Sequence, residues 1–129
     1  MTILVGFIPT PEGRVALDTA IATAKKENDS LVVVNGSRAP ERTDHNRLDP
    51  EARDELLDAL ESSGLTFTVV TPENEDEPSE QILEAARIHE ASLIVIGLRR
   101  RTPVGKFLMG SNSQRVILEA DCPVLSVKP

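Results

Sequence analysis

Three segments of this chain are apolar at nearly every position, yet each is too short for a helix. Residues 2–8 contain Ile3, Leu4, Val5, Phe7 and Ile8. Residues 31–34 are Leu31, Val32, Val33 and Val34, and residues 93–96 are Leu93, Ile94, Val95 and Ile96. A strand with one wet face alternates polar and apolar side chains. A strand covered on both faces loses that alternation. Both faces of the resulting sheet must therefore be covered by other elements. Residues 66–71 alternate in part, which suits a more exposed edge strand, and residues 123–127 form a short fifth apolar run.

The segments between these runs read as helices. Thr10, Pro11 and Glu12 give an N-cap, a first-turn proline and an acidic first turn, followed by an apolar stripe of Leu17, Ala20, Ile21 and Ala24. Asp49, Pro50 and Glu51 start a second helix with Leu56, Leu57 and Leu60 on one face, and Gly64 is placed to end it. Residues 79–90 carry Ile82, Ala85, Ala86 and His89 at core spacing, and residues 114–121 read as a last helix. Strands alternating with helices predict an α/β three-layer sandwich around a five-stranded parallel sheet. The 129 residues suit a single domain, 1–129, with one core.

Composition removes several function classes. No apolar run approaches the roughly 20 residues of a membrane span. The N-terminus opens on a strand-like run without a basic flank, so no signal peptide is expected and a cytoplasmic location follows. Cys122 is the only cysteine, so no internal disulfide can form, and its apolar surroundings suggest a buried, inert thiol. Net charge is −7 with no Trp or Tyr, which argues against nucleic acid as a partner. Neither His45 nor His89 has a second His or Cys at metal-ligand spacing. The polar stretch 37–48, with Arg38, Arg42, His45 and Arg47, is long for a connection, and such loops are often functional.

Positive charge gathers in one place. Residues 97–113 hold Gly97, Gly105 and Gly110 together with Arg99, Arg100, Arg101 and Lys106, between the fourth strand and the last helix. A strand that empties into a glycine-bearing basic loop and then a helix start is the sequence form of an anion site. Helix-start N–H groups are unpaired, the macrodipole is positive there, and glycines admit close approach. Ser111 with Gln114 also fits a capping box, so Ser111 either caps the helix or meets a ligand. In open α/β sheets, ligands bind at the carboxyl ends of strands where strand order reverses. In a flavodoxin-like arrangement that reversal falls between strands 1 and 4. The turn at Ile8, Pro9 and Thr10 then faces the 97–113 loop across one crevice, with Asn35 within reach at the end of strand 2.

In element order, and most specifically over residues 91–97, 110–111 and 122–127, the chain resembles the universal stress protein family. The resemblance implies strand order 3-2-1-4-5 and a homodimer paired through the last strand, Val124–Val127. Nucleotide-binding members carry Gly-x2-Gly-x9-Gly-Ser/Thr between the last two strands. Gly97, Gly110 and Ser111 match, whereas Arg100 replaces the second glycine. An aspartate usually follows strand 1 and contacts the adenosine part of ATP, and here Ile8 stands in its place. The family's backbone contact to adenine falls near Val34 and Asn35. The resemblance thus implies ATP or another adenine nucleotide held by Pro9, Thr10, Val34, Asn35, Gly97, Arg99, Arg100, Gly110, Ser111 and Asn112. Because the family also has members without a nucleotide, a dimeric interaction protein with a vestigial site is the alternative. No general base beside the loop and no dedicated magnesium carboxylates stand out, so the expectation is a non-enzyme, with slow ATPase activity not excluded.

Overall fold

The computed structural model describes residues 1–36, 48–99 and 110–129. Arg38, Arg42, His45 and Arg47 of the polar stretch, and Arg100, Arg101, Gly105 and Lys106 of the basic loop, lie outside the described residues. The elements run β1 (Thr2–Gly6), α1 (Pro11–Glu27), β2 (Ser30–Val34), α2 (Pro50–Ser63), β3 (Phe67–Val70), α3 (Pro78–Ile88), β4 (Leu93–Gly97), α4 (Ser111–Glu119) and β5 (Val124–Val127). The strands form one parallel sheet in the order β3-β2-β1-β4-β5. This is the order the resemblance implies, and β3 takes the edge its partial alternation predicts.

The uninterrupted apolar runs serve two cores at once. Ile3, Val5, Phe7, Leu31, Val33 and Val95 face one way, against Leu17, Ala20 and Ala24 of α1 and Leu56 and Leu60 of α2. Leu4, Val32, Val34, Ile94 and Ile96 face the other way, against Ile82 and Ala85 of α3 and Val116 of α4. Register aligns these sets, with Leu4 beside Val32 on one side and Ile94 on the other. A one-residue slip would exchange the two cores, so register is fixed by both helical layers together.

Local chemistry sets the helix ends. The Gly13 N–H donates to Thr10 Oγ1 at 3.1 Å and the Ala52 N–H donates to Asp49 Oδ1 at 2.7 Å, as the N-cap readings predict. Gly64 ends α2 at φ 75°. Helix α4 begins earlier than the sequence reading. Its N-cap is Gly110, whose carbonyl accepts the Gln114 N–H at 3.1 Å, and Ser111 is the first helical residue. The capping-box reading of Ser111 is therefore corrected: an N-cap must be extended, and Gly110, at φ −65° and ψ 155°, is the extended residue. Helix α3 has no side-chain cap of its own. Asn112 of α4 supplies one, its Oδ1 accepting the Ser79 N–H at 3.1 Å. Arg115 joins the same two helices through an ion pair with Glu80.

Asn35 is fully buried where β2 ends. Its Nδ2 donates to the Phe7 carbonyl at 3.0 Å and its Oδ1 accepts the Leu48 N–H at 3.2 Å. Its own N–H donates to the Val70 carbonyl at 2.9 Å. One side chain thus ties the end of β1 to the chain re-entering before α2, and buried amides persist only when satisfied in this way. Asn35→Ala should lower unfolding free energy by about 2–4 kcal/mol, since each orphaned buried group costs roughly 1–3 kcal/mol. Urea unfolding with an unchanged slope would show it, and a loss below about 0.5 kcal/mol, the scale of an ordinary surface change, would contradict the tie.

Cys122 is half-buried, between α4 and β5, and packs against the α3–α4 core. Burial, and secondarily the Asp121 carboxylate, push its thiol above the ordinary cysteine range. Only thiolate reacts, so a raised pKa means less reactive sulfur at any given pH. Alkylation of the native protein should follow pH with a midpoint above that of the urea-unfolded chain. A midpoint at or below the unfolded value would overturn this assignment.

Candidate functional site

The chain leaves β1 through a tight turn in which the Thr10 N–H donates to the Ile8 carbonyl at 2.8 Å. Thr10 then caps α1, and α1 starts directly over that carbonyl. A Cβ on Gly13 would sit 1.9 Å from Ile8 O, so only glycine lets the helix begin here. The same first turn lies against the end of β4, where a Cβ on Gly97 would sit 2.1 Å from Glu12 O. Gly97 is thus required by packing between α1 and β4, whatever the crevice holds.

On the other face of the sheet, α3 and α4 start at the same end of the strands. Between these helix starts and α1, at the carboxyl ends of β1 and β4, lies a crevice of about 360 Å³. This is where strand order reverses, as β1 pairs with β2 on one side and β4 on the other. Phe7, Ile8, Ile82, Ile96 and Val116 supply apolar wall, and Gly6 and Gly36 line it as well. Ile82 fills the space over Gly6, where a Cβ would come within 2.9 Å of Ile82 Cδ1. Polar lining comes from Arg99, Glu12 and residues 110–113.

The α4 end of the crevice is built from donors. The N–H groups of Ser111, Asn112 and Ser113 occupy the first turn and have no intrahelical acceptor, and the helix dipole adds partial positive charge. Arg99 is exposed beside them. Gly110 differs from Gly97. Its φ is negative, and an added Cβ would meet nothing within 4 Å among the described residues. Packing against the described residues therefore does not account for this glycine. Chemically, the arrangement combines an anion seat at the start of α4 with apolar lining from Ile82, Ile96 and Val116.

Of the residues predicted to form the site, Gly97, Arg99, Gly110, Ser111 and Asn112 meet in this crevice. Pro9 and Thr10 line a separate hollow of about 310 Å³ on the α1–α2 side, beside Arg14 and Leu56. Val34 and Asn35 are buried, and neither lines the crevice, although Gly36, the next residue, does. Arg100 lies outside the described residues. Sequence reading missed Glu12, Gly13, Pro78 and Ile82. Helix starts at the carboxyl edge of a parallel sheet were the available pointer, but the acidic first turn of α1 was explained by the helix dipole alone. Among the described residues, no group of three His, Cys, Asp or Glu side chains is placed to hold a metal, and no helix is long and apolar enough to cross a membrane.

Comparison with known proteins agrees with this geometry. The model of the universal stress protein family matches residues 1–128. A universal stress protein of Mycolicibacterium smegmatis is 37% identical over 127 residues, covering 98% of this chain and 97% of that protein. Among solved structures, a universal stress protein from Archaeoglobus fulgidus superposes with a TM-score of 0.74 at 25% identity, covering 98% of this chain and 97% of the other. Another from the same organism, in complex with dAMP, superposes with a TM-score of 0.66 at 22% identity, covering 98% and 96%. With sheet order, helix placement and a whole-length match in accord, this chain belongs to the universal stress protein family.

Proposed function

We propose that this protein binds an adenine nucleotide, ATP or a smaller relative, in the crevice between β1 and β4. The phosphates sit at Gly110, Ser111 and Asn112 on the first-turn N–H groups of α4, with Arg99 beside them. The base occupies the apolar slot of Ile82, Ile96 and Val116. The observation that carries this reading is Gly110. It is a glycine with ordinary backbone angles and, among the described residues, no neighbour within 4 Å for a Cβ to meet, placed before three first-turn N–H groups that have no acceptor among those residues. A missing side chain leaves that turn open to an anion. The dAMP-bound relative supports the choice of ligand class. The reading is one of binding, not turnover.

A second reading has its own support. Ile8 brings an apolar side chain into the crevice, and Asn112 Oδ1 is engaged by the Ser79 N–H. On that reading the site is vestigial and the protein works as a dimeric interaction module. In either case we propose a homodimer paired through Val124–Val127. Among the described residues β5 is hydrogen-bonded only to β4, and its Leu125 is 40% exposed. An unpaired apolar edge strand invites pairing.

The two glycines separate fold from ligand. Gly110→Val should cost about 1 kcal/mol of stability or less, the scale of an altered N-cap, yet abolish nucleotide binding in calorimetry with ATP, ADP and AMP. Gly97→Ala should cost about 1–3 kcal/mol, because its Cβ collides with α1. Unchanged affinity in Gly110→Val would remove the phosphate assignment. No heat from the parent protein with any of the three nucleotides would leave the interaction-protein reading standing.

Light scattering at micromolar concentration should give twice the 14.0 kDa chain mass. Leu125→Lys should shift the population towards monomer, and a parent protein that is strictly monomeric would refute pairing.

A further inference from the structure

Glu12 is the one acidic side chain among the described residues that lines the crevice. It is half-buried and makes no hydrogen bond or ion pair with a described residue. Its backbone is fixed from three directions. Thr10 caps the turn ahead of it, Gly13 lies under the Ile8 carbonyl, and its own carbonyl packs on Gly97. An acidic residue thus lines the crevice from a first turn whose backbone packs on the end of β4.

An ionised carboxylate accepts hydrogen bonds and donates none. The far end of the crevice, on α4, offers donors. A phosphate satisfies those donors and is repelled by Glu12, so one anion does not suit both groups. The ligand that satisfies both carries a phosphate at one end and hydroxyl donors some distance from it. Two adjacent hydroxyls can engage the two carboxylate oxygens together, and acidic side chains hold ribose hydroxyls in this manner in other α/β crevices. Ile8, which lines the same part of the crevice, offers no polar atom for the purpose.

We infer that Glu12 is the sugar anchor of the crevice, a positioning residue that makes the site selective for ribonucleotides over their deoxy analogues. The inference rests on the nucleotide reading above and adds which part of the ligand is recognised. A site built to bond a substrate hydroxyl rejects the analogue lacking it, because the acceptor, half-buried here, is left without that partner.

The test is calorimetry on the full chain with AMP, 2′-deoxy-AMP and 2′,3′-dideoxy-AMP, in excess chelator so that no cation bridges carboxylate and phosphate. The parent protein should bind AMP about tenfold or more tightly than dideoxy-AMP, the factor a charge-assisted hydrogen bond supplies. Glu12→Ala should bring all three ligands within about twofold of one another, the level expected once that bond is gone. Glu12→Gln, which keeps an acceptor, should retain part of the preference. A residue that merely shapes α1 would shift the three affinities equally, so the ratio is the diagnostic. Equal binding of the three by the parent overturns the inference while leaving the nucleotide site intact. So does a preference that survives Glu12→Ala, or one that appears only when magnesium is restored. Binding of none of the three removes the nucleotide reading and the role of Glu12 with it.

Discussion

The first turn of α1 lies against the end of β4 with no room for a side chain between them. Gly97 makes this contact, beneath the Glu12 carbonyl, and Gly13, beneath the Ile8 carbonyl, seats the same turn of α1 on the end of β1. Neither needs unusual backbone angles; both are glycine because a Cβ would overlap a peptide group. Once α1 is seated this closely, its N-terminal turn stands at the point where strand order reverses. Facing it, α3 and α4 begin on the opposite face of the sheet. The crevice is the space these three helix starts leave over β1 and β4, so its shape depends on a backbone contact more than on any side chain that lines it.

That dependence alters the meaning of a sequence motif. Gly97 and Gly110 belong to one spacing pattern, yet their surroundings differ. Gly97 is demanded by the packing of α1, whereas at Gly110 a Cβ would meet none of the described residues. A chain could keep the first for folding alone. The second gains nothing from packing against the described residues, and so it bears the weight of the ligand argument. Electrostatics agree. The chain is strongly acidic overall, with net charge −7, but the α4 end of the crevice presents backbone donors and Arg99, whose local field does not depend on the net balance.

Most of the fold was legible because burial on both faces leaves a direct mark. Residues 31–34 and 93–96 are apolar throughout since Val32 and Ile94 serve one core while Val33 and Val95 serve the other. The caps at Thr10 and Asp49 were legible because their bonds span three residues of one chain segment. What escaped depends on distant partners. Asn35 looked like a polar group near a ligand; its partners are Phe7 and Leu48, which only the folded sheet brings to it. Ser111 looked like a cap because Gln114 follows at the right spacing, and the extended Gly110 took that place. Glu12 read as a helix-dipole residue, since nothing local reports that β4 arrives beside it.

The bond from Ser79 to Asn112 has a consequence for how the protein breathes. The N-cap residue of helix α3 makes no side-chain cap bond, and the Ser79 N–H in its first turn is bonded to Asn112 of α4 instead. A helix end held by its own N-cap can fray and re-form alone. Here, fraying of α4 strips the cap from α3 and exposes a donor on a buried residue, Ser79. The two helix starts are therefore expected to open together in native-state hydrogen exchange. Anything that settles on the first turn of α4 slows exchange at the first turn of α3 as well, though it touches only one of them.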